Sequence, residues 1–276
     1  MKLHFIKANP CENTTVFILD PVQRGKYAEV CRAVMSYGGV GAEQVGFLIR
    51  DPGQAGGWRM EMAGGEFCGN GTRSFAAWLA LCPGGGSLRA MDVPEKEVTV
   101  SVSGTDRPLR AKVRRTEREN CCDVSVDMPL PRRLLAGRND FLGEYVLADF
   151  EGICHAVLFD REPGENDLGW AGALLASEGL CPDATGIMYY RTGERYMRPL
   201  VQVAEVGSVV WERSCGSGSA ALAAALALRS GKSLEEHPVR QPGGELRVSA
   251  EWSGGEVRRL RLGGVIEFTA AGELFV

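Results

Sequence analysis

The sequence has few histidines, no closely spaced cysteine pair of the metal-binding kind and no long apolar run. Only three histidines occur among the 276 residues, and none of the nine cysteines stands in a C-x-x-C motif. A structural zinc site needs four soft ligands at close spacing, so we expect no metal site. The longest apolar run, Ala220 to Leu228, has nine residues. A membrane-spanning helix needs about 20, so we expect no membrane partner.

The sequence also lacks an excess of positive charge. It has 31 Lys and Arg residues against 35 Asp and Glu residues, which gives a net charge of -4. Nucleic-acid binding leaves a basic footprint, so we expect no nucleic-acid partner. The amino terminus has no apolar core of the kind that signal peptides carry, which favours a cytoplasmic location. The cysteines are spaced irregularly, and a chain of this length can bury a core without disulfides.

Two halves of the sequence repeat one another in four landmarks that occur in the same order. Apolar runs and glycine-rich turns recur, with matched pairs at residues 16–20 and 156–160, 46–49 and 186–189, 68–71 and 215–218, and 98–102 and 246–250. The apolar runs are typical of buried strands. We therefore predict an internal duplication of α/β (α+β) class: two similar pseudo-symmetric domains, rich in strands, with one central helix in each.

The predicted domain limits follow from this repeat. The amino-terminal half takes residues 1–115 plus 265–276 and carries Cys68, and the other half takes 116–264 and carries Cys215. We expect the active site in a cleft between the halves. His237, which is followed by Pro238, is interpreted as a surface loop residue.

Each of these two cysteines precedes a glycine-rich turn and an alanine-rich stretch of helical length. The stretches run from Thr72 to Leu81 and from Ser219 to Leu228. Free N–H groups and the helix dipole stabilise negative charge at a helix start, so a thiol there is expected to have a lowered pKa. The same N–H groups can bind a carboxylate.

Two matched thiols beside an anion site predict the inversion of a stereocentre. One group removes a proton from one face of a carbon, and its partner returns a proton to the other face. A thiol suits both tasks because its pKa lies near the operating pH. Nothing in the sequence marks a pyridoxal-phosphate lysine, so we expect no cofactor.

The motifs resemble those of a known enzyme family. Residues 66–73 and 211–218, together with Asn13, residues 42–47 and residues 241–244, are similar to the paired cysteine motifs of the diaminopimelate epimerase superfamily. The resemblance covers essentially the whole chain. It implies a cofactor-independent racemase or epimerase whose two domains each wrap a curved sheet or barrel of strands around a central helix.

The resemblance also implies roles for individual residues. Cys68 and Cys215 correspond to the two acid/base residues. The remaining positions would bind the substrate or support the catalytic pair: backbone groups of Gly69, Asn70, Gly216 and Ser217 at the α-carboxylate, Asn13 and Gln44 in the pocket, and His155 and Glu205 beside the cysteines.

The substrate is expected to differ from diaminopimelate. Where the epimerases hold the distal end of that substrate with asparagines and an arginine, this chain has Met62, Ile153, Ala184 and Val206. Without those donors a second pair of charged groups would be desolvated without compensation. Within the superfamily, the motifs resemble the histidine racemases of staphylopine metallophore biosynthesis. Glu43 could accept a hydrogen bond from the substrate imidazole.

Several alternatives stay open at this point. The enzyme could epimerise diaminopimelate after all, or racemise another amino acid. A non-catalytic binding module of the same fold is a further alternative. Gly216 to Ala221 also resembles a dinucleotide-binding fingerprint, which would indicate an oxidoreductase. The oligomeric state is open too, and pairing of exposed strand edges would give a homodimer.

Overall fold

The chain divides into two compact units in a computed structural model that describes residues 1–54, 57–85, 88–203 and 207–276. Unit 1 comprises Met1–Asp127 and Gly263–Val276, and unit 2 comprises Met128–Leu262. The described residues form sixteen strands and four α-helices. No helix among them has the length and apolar character that a membrane crossing requires.

Unit 1 contains seven strands of its own, two α-helices and the last part of a shared strand. In chain order the elements are β1 (Lys2–Asn9), β2 (Thr15–Ile18), α1 (Tyr27–Met35), β3 (Gln44–Arg50), β4 (Trp58–Met62), α2 (Gly69–Leu81), β5 (Glu95–Val102), β6 (Leu109–Arg115), β7 (Cys121–Met128) and, from Gly263 onward, β16 (Glu256–Phe275). The strands lie side by side in chain order from β1 to β7, followed by β16. Since β16 also pairs with β1, the strand order of unit 1 closes on itself.

Unit 2 repeats the same plan. Its elements are β8 (Arg133–Asn139), β9 (Gly143–Asp149), β10 (Ile153–Phe159), α3 (Asp167–Ser177), β11 (Ala184–Arg191), β12 (Tyr196–Val203), β13 (Ser208–Trp211), α4 (Gly216–Ser230), β14 (Leu234–Gln241), β15 (Gly244–Ser253) and the first part of β16. The strands run in the order β16, β15, β14, β12, β11, β10, β9 and β8, and β13 pairs with β12.

Parallel strand pairs recur at matched places in both units. In unit 1, β2 pairs parallel with β3 and β4 with β5. In unit 2, β10 pairs parallel with β11 and β12 with β14. A parallel pair needs a crossover connection, and each of these connections contains one of the four helices. The predicted duplicated, strand-rich α/β fold is therefore confirmed.

The central helices α2 and α4 are buried on nearly all sides. Twelve of the thirteen residues of α2 are buried. The alanine-rich α4 packs against strands β9, β10, β11, β14 and β15. A helix that is apolar all round belongs in a core, and small side chains let the strands approach closely. These helices carry their starts into the interior of each unit, where Cys215 is buried and Cys68 is half-buried.

Each unit also contains a second helix that the sequence analysis did not predict. Helix α1 buries Tyr27, Val30 and Val34, which recur at helical spacing. They join the cluster that includes Phe47, whose ring stacks on that of Tyr27 with centroids 3.6 Å apart. Helix α3 occupies the matched position in unit 2 and buries Ala171 and Leu175.

Candidate active site

Cys68 and Cys215 are the N-cap residues of helices α2 and α4. Both have extended backbones, with φ and ψ of -124° and 111° at Cys68 and of -113° and 112° at Cys215. The Gly71 N–H donates to Sγ of Cys68 over 3.2 Å, and the Gly218 N–H donates to Sγ of Cys215 over 3.3 Å. Each sulfur thus takes the place of the side-chain oxygen that usually caps a helix. The prediction that both cysteines stand at helix starts is confirmed.

The same second hydrogen bond fixes both helix starts. The Thr72 hydroxyl donates to the Cys68 carbonyl over 2.7 Å, and the Ser219 hydroxyl donates to the Cys215 carbonyl at 2.6 Å. The matched geometry means that each unit presents one thiol at the positive end of a helix dipole. It also means that the first N–H groups of each helix, at Gly69 and Gly216, have no acceptor within the helix.

In unit 1 a chain of side-chain carboxamides surrounds Cys68. The Cys68 thiol donates to Oε1 of Gln44 over 3.1 Å, and Nε2 of Gln44 donates to Oδ1 of Asn13 over 2.6 Å. Nδ2 of Asn70 donates to the same Asn13 oxygen over 2.9 Å, and Nδ2 of Asn13 donates to Oε2 of Glu43 over 2.8 Å. The structure therefore brings together the four unit 1 side chains that were expected at the site, those of Asn13, Glu43, Gln44 and Cys68. It adds the side chain of Asn70, which was expected to contribute its backbone N–H.

Arg73 joins this chain of hydrogen bonds, and the sequence analysis gave it no role. Its side chain is fully buried on α2, and Nη2 donates to Oδ1 of Asn70 over 2.9 Å. A signal for it exists in the sequence, because Arg73 is the last residue of the motif at residues 66–73. The burial of the Arg73 side chain, which distinguishes it from a surface arginine, results from the central position of α2 in unit 1.

In unit 2 a hydroxyl lies beside the cysteine and is hydrogen-bonded to an imidazole. Oγ of Ser217 lies 3.6 Å from Sγ of Cys215 and 2.9 Å from Nε2 of His155. His155 is fully buried, and that burial lowers its pKa to about 3. The imidazole is therefore neutral at physiological pH, so it can hold a hydrogen bond to Ser217 but adds no positive charge beside the thiol.

The pKa of Cys215 departs from the sequence-based expectation. Burial raises it well above the usual range of a thiol, and the neighbouring Glu212 raises it further. Hydrogen bonds from Ser217 and from the Gly218 N–H act in the opposite direction but do not outweigh burial. The expected lowering is thus wrong for Cys215, because removing a thiolate from water costs more than one helix start returns.

Gln241 is a second side chain that the sequence analysis left without a role. It is buried, its Oε1 accepts from the Cys215 N–H over 2.8 Å, and its Nε2 donates to Oγ of Ser219 over 2.9 Å. It ties the last residue of β14 to the start of α4. Its signal in the sequence was the segment 241–244, which the superfamily shares.

One predicted site residue cannot be placed. Glu205, expected to support the cysteines, lies outside the described residues, as does Val206. In the described part of the chain, no three His, Cys, Asp or Glu side chains are grouped so that they could hold a metal ion.

Four further thiols, three of them buried and that of Cys31 half-buried, are held in their neutral form. Burial raises the pKa of Cys31 to about 11 and those of Cys82, Cys122 and Cys154 to about 12. None of the nine cysteines is in a disulfide. Since the thiolate is the reactive form, these four side chains act as small apolar groups in the core.

Comparison with known proteins gives a family match over almost the whole chain. The model of the histidine racemase CntK N-terminal domain matches residues 2–275. A histidine racemase of Fusobacterium nucleatum subsp. nucleatum is 31% identical over 282 residues, covering 99% of this chain and 97% of that protein. A histidine racemase of Staphylococcus aureus is 23% identical, covering 90% of this chain and 89% of that protein. A diaminopimelate epimerase of Xylella fastidiosa is 30% identical and covers 72% of this chain and 69% of that protein.

Solved structures share the fold at low sequence identity. A predicted epimerase from Pseudomonas aeruginosa superposes with a TM-score of 0.64 at 14% identity, covering 99% of each chain. A hydroxyproline epimerase from Agrobacterium vitis gives a TM-score of 0.60 at 15% identity, covering 99% of this chain and 92% of that one. At such identities the likeness establishes the fold alone.

Proposed function

The chain belongs to the histidine racemase family and is an isomerase, and from this we propose that it interconverts L-histidine and D-histidine without a cofactor, with Cys68 and Cys215 as its two acid/base groups. The observation that carries the proposal is the matched pair of cysteine-capped helices. Either cysteine alone could be packing. Two of them, each with a glycine N–H directed at sulfur, stand in equivalent places of a duplicated fold.

The reaction needs one proton to leave Cα and another to arrive on its opposite face. A thiolate removes the Cα proton and becomes a thiol, and the electron pair stays on the substrate as a carbanion. The second thiol then donates its proton to the other face and becomes a thiolate. The two cysteines have exchanged protonation states, so the product enantiomer can react by the same steps in reverse.

The helix starts supply the group that holds the α-carboxylate. The first N–H groups of α2 and α4, in the segments Gly69-Asn70 and Gly216-Ser217, point out of their helices because nothing within a helix accepts from them. Such groups, together with the helix dipole, bind carboxylates well. They would also stabilise the negative charge that develops next to Cα.

Glu43 is proposed to recognise the substrate side chain. It is exposed and accepts from Asn13 through Oε2, which connects it to the hydrogen-bond chain around Cys68. A carboxylate accepts hydrogen bonds at both oxygens, so a second acceptor can meet an imidazole N–H. Diaminopimelate could also donate to Glu43 through its distal ammonium, but its distal carboxylate would then bring a second negative charge close to Glu43.

The residues that replace the epimerase asparagines offer no side-chain hydrogen bonds. Ile153 and Ala184 begin strands β10 and β11 and are direct partners in the parallel pairing. Met62 is buried at the end of β4. Side chains of this kind leave the distal ammonium and carboxylate of diaminopimelate without hydrogen-bond partners. The loss of such hydrogen bonds discriminates strongly against a substrate that needs them.

The cellular setting is part of the same proposal. The resemblance to the racemases of the staphylopine pathway supports D-histidine as a building block for a metallophore, made in the cytoplasm. The partners we propose are the amino-acid substrate and a second copy of the chain in a homodimer.

A deuterium-exchange panel tests the proposed reaction. The protein, with a thiol reductant and no added cofactor, is incubated in D2O with each L-amino acid and with diaminopimelate in turn. We expect deuterium at Cα and formation of the D-enantiomer for histidine alone. Exchange with diaminopimelate in place of histidine would assign the chain to the epimerase reaction. No exchange with any substrate would leave a binding module as the better account.

A further inference from the structure

We propose that Arg73 and Glu43 are positioning residues that pin the carboxamides between them in one orientation, so that Gln44 turns its oxygen to Cys68 and favours the neutral thiol of that residue, the form that donates a proton. The inference deepens the proposed function and rests on it only in treating Cys68 as an acid/base group. Its basis is the hydrogen-bonding capacity of the two residues at the ends of the chain. Arg73 can only donate, and the Glu43 carboxylate can only accept.

The orientation at the inner end follows from Arg73. A guanidinium has no acceptor, so the Asn70 atom that lies 2.9 Å from Nη2 must be the amide oxygen. The Asn70 nitrogen therefore faces Asn13 and donates to its Oδ1. Because Arg73 is fully buried and Asn70 is 2% exposed, bulk water is poorly placed to take over either bond.

The orientation at the outer end follows from Glu43. Its carboxylate has no donor, so the Asn13 atom that lies 2.8 Å from Oε2 must be the amide nitrogen. The Asn13 oxygen is then left for Asn70 and for Nε2 of Gln44, which lies 2.6 Å away. Both ends thus require the same orientation of Asn13.

The remaining freedom is at Gln44, and it is removed as well. With Nε2 committed to Asn13, the Gln44 oxygen faces Sγ of Cys68 at 3.1 Å. A thiol can donate to that oxygen, whereas a thiolate would meet its lone pairs. Rotating the Gln44 amide would relieve this contact, but it would then set two oxygens against each other at Asn13. The pinned chain therefore favours the form of Cys68 that donates a proton.

Charged groups near this chain come from more than one element of unit 1. Strand β7 contributes Asp123, whose charge acts on the Cys122 thiol together with that of Arg73. Helix α2 contributes Arg73, and the segment before β3 contributes Glu43. Glu66 is two residues from Cys68, and its charge adds to burial in raising the pKa of Cys31 on α1, which places it beside that helix. The Gly71 N–H donates to Sγ and works against the effect of Gln44, because it favours the thiolate.

A double-mutant cycle on the full-length protein tests the proposal. The single variants Glu43→Gln and Asn70→Ala each remove one anchor and leave the other, so Asn13 stays pinned. The double variant frees Asn13 and Gln44 to rotate together, and Nε2 of Gln44 can then donate to a Cys68 thiolate. The readout is the rate of Cys68 alkylation by iodoacetamide from pH 6 to pH 10, located by peptide mass spectrometry. The exposed Cys181 in the same digest serves as the reference thiol.

We expect the Cys68 pKa to fall in the double variant by about one unit more than the sum of the two single-variant shifts. At a pH below the pKa, one unit corresponds to about tenfold more Cys68 thiolate. Additive shifts, or no shift, would overturn the proposal, because the pinned orientation should be lost only when both anchors are removed. A second double-mutant cycle, of Glu43→Gln with Arg73→Met, should show the same excess fall in the Cys68 pKa. It replaces the cycle with Asn70→Ala if that variant does not fold. Arg110→Met, on an exposed side chain of β6, is the matched control and should leave the Cys68 profile unchanged. Alkylation needs no turnover, so this result is independent of the substrate panel.

Discussion

Gly186 lies directly opposite His155 in the parallel pairing of β11 with β10, and a Cβ atom placed on Gly186 would come within 2.2 Å of Nδ1 of the imidazole. The ring occupies the space that any other residue would fill. Unit 1 repeats the arrangement, since Gly46 pairs with Phe17 and a Cβ on Gly46 would lie 2.9 Å from that ring. The sequence repeat identified a glycine at the start of the apolar segment of each of these strands. In each unit this glycine makes room for one ring.

The first prediction is that Gly186→Ala displaces His155 and with it Ser217. Overpacking of this kind costs about 1–3 kcal/mol of unfolding free energy, and we expect kcat/KM to fall by at least about tenfold. Gly169→Ala on α3 is the matched control, because a Cβ there meets nothing within 4 Å. It should raise stability by about 0.5–1 kcal/mol. Equal stability and activity in wild type and Gly186→Ala would show that the ring is not held in this way.

The second prediction concerns the two proposed acid/base residues. Cys68→Ser and Cys215→Ser replace a thiol by a hydroxyl that does not ionise near neutral pH, so each should lower the racemisation rate by about 10²–10⁴-fold. Circular dichroism and thermal unfolding should show an intact fold. Cys181→Ser, at an exposed position, is the control and should keep full activity. Substantial racemisation by either single variant would remove that residue from the two-base mechanism.

The third prediction concerns substrate recognition by Glu43. Glu43→Gln keeps the size of the side chain but removes the carboxylate, so kcat/KM for histidine should fall by about 10–100-fold. The residue is exposed, so the unfolding free energy should change by less than about 0.5 kcal/mol. Glu29→Gln, on the surface of α1, provides a control for loss of charge. An unchanged kcat/KM would show that Glu43 does not recognise the substrate.

The fourth prediction concerns the Ser217 hydroxyl. Its hydrogen bond lowers the pKa of Cys215, so Ser217→Ala should raise that pKa further and slow the alkylation of Cys215 at a fixed pH. The buried His155 would also lose its partner at Nε2, at a cost of about 1–3 kcal/mol. Ser230→Ala, at the other end of the same helix, should change neither quantity. Faster alkylation of Cys215 would contradict the assignment.

The fifth prediction concerns stability at low pH. The pKa of His155 is lowered to about 3 in the folded protein, so below about pH 6.5 the unfolded chain binds a proton that the folded chain does not. The stability that depends on neutral His155 is complete above pH 6.5 and is lost as the pH falls. Between pH 7.5 and 5.5, wild type should lose about 1.4 kcal/mol more unfolding free energy than His155→Gln. Urea denaturation at both pH values measures this difference, and equal losses would place a protonated imidazole in the folded state.

The fold and the helix starts could be predicted because they repeat locally in the sequence. The two cysteine motifs, each with glycines and an alanine-rich stretch, identify both central helices. The helices begin at Gly69 and Gly216, three residues earlier than predicted, since the glycines themselves are helical. Helix α1 was missed although Tyr27, Val30 and Val34 carry a helical spacing.

One landmark of the repeat was matched to the wrong strand. The segment 98–102 lies in β5, whereas 246–250 lies in β15, and the strand that follows α4 as β5 follows α2 is β14. Strand β14 includes His237 and Pro238, which had been interpreted as a loop. Its pairing with β15 shifts register between Leu234 and His237, so it shows no regular alternation.

The finer features of the site depend on contacts that no local pattern contains. The hydrogen-bond chain around Cys68 joins residues from the turn before β2, the start of β3 and helix α2. The raised pKa of Cys215 comes first from burial, which is a property of the packed core and not of the helix start. The local sequence pattern identified the helix start that stabilises negative charge. It contained no information on burial, which has the larger and opposite effect on the pKa.

The division of β16 between the two units has a consequence for biosynthesis. Unit 1 takes up residues 263–276, and these include every partner of β1 in that pairing. A ribosome therefore delivers all of unit 2, residues 128–262, before the segment that closes the sheet of unit 1. Until then β1 has one open edge, where another strand could add. The half that is translated first is the last to be completed, and a released chain that ended at residue 262 would have all the residues of unit 2 but an open edge in unit 1.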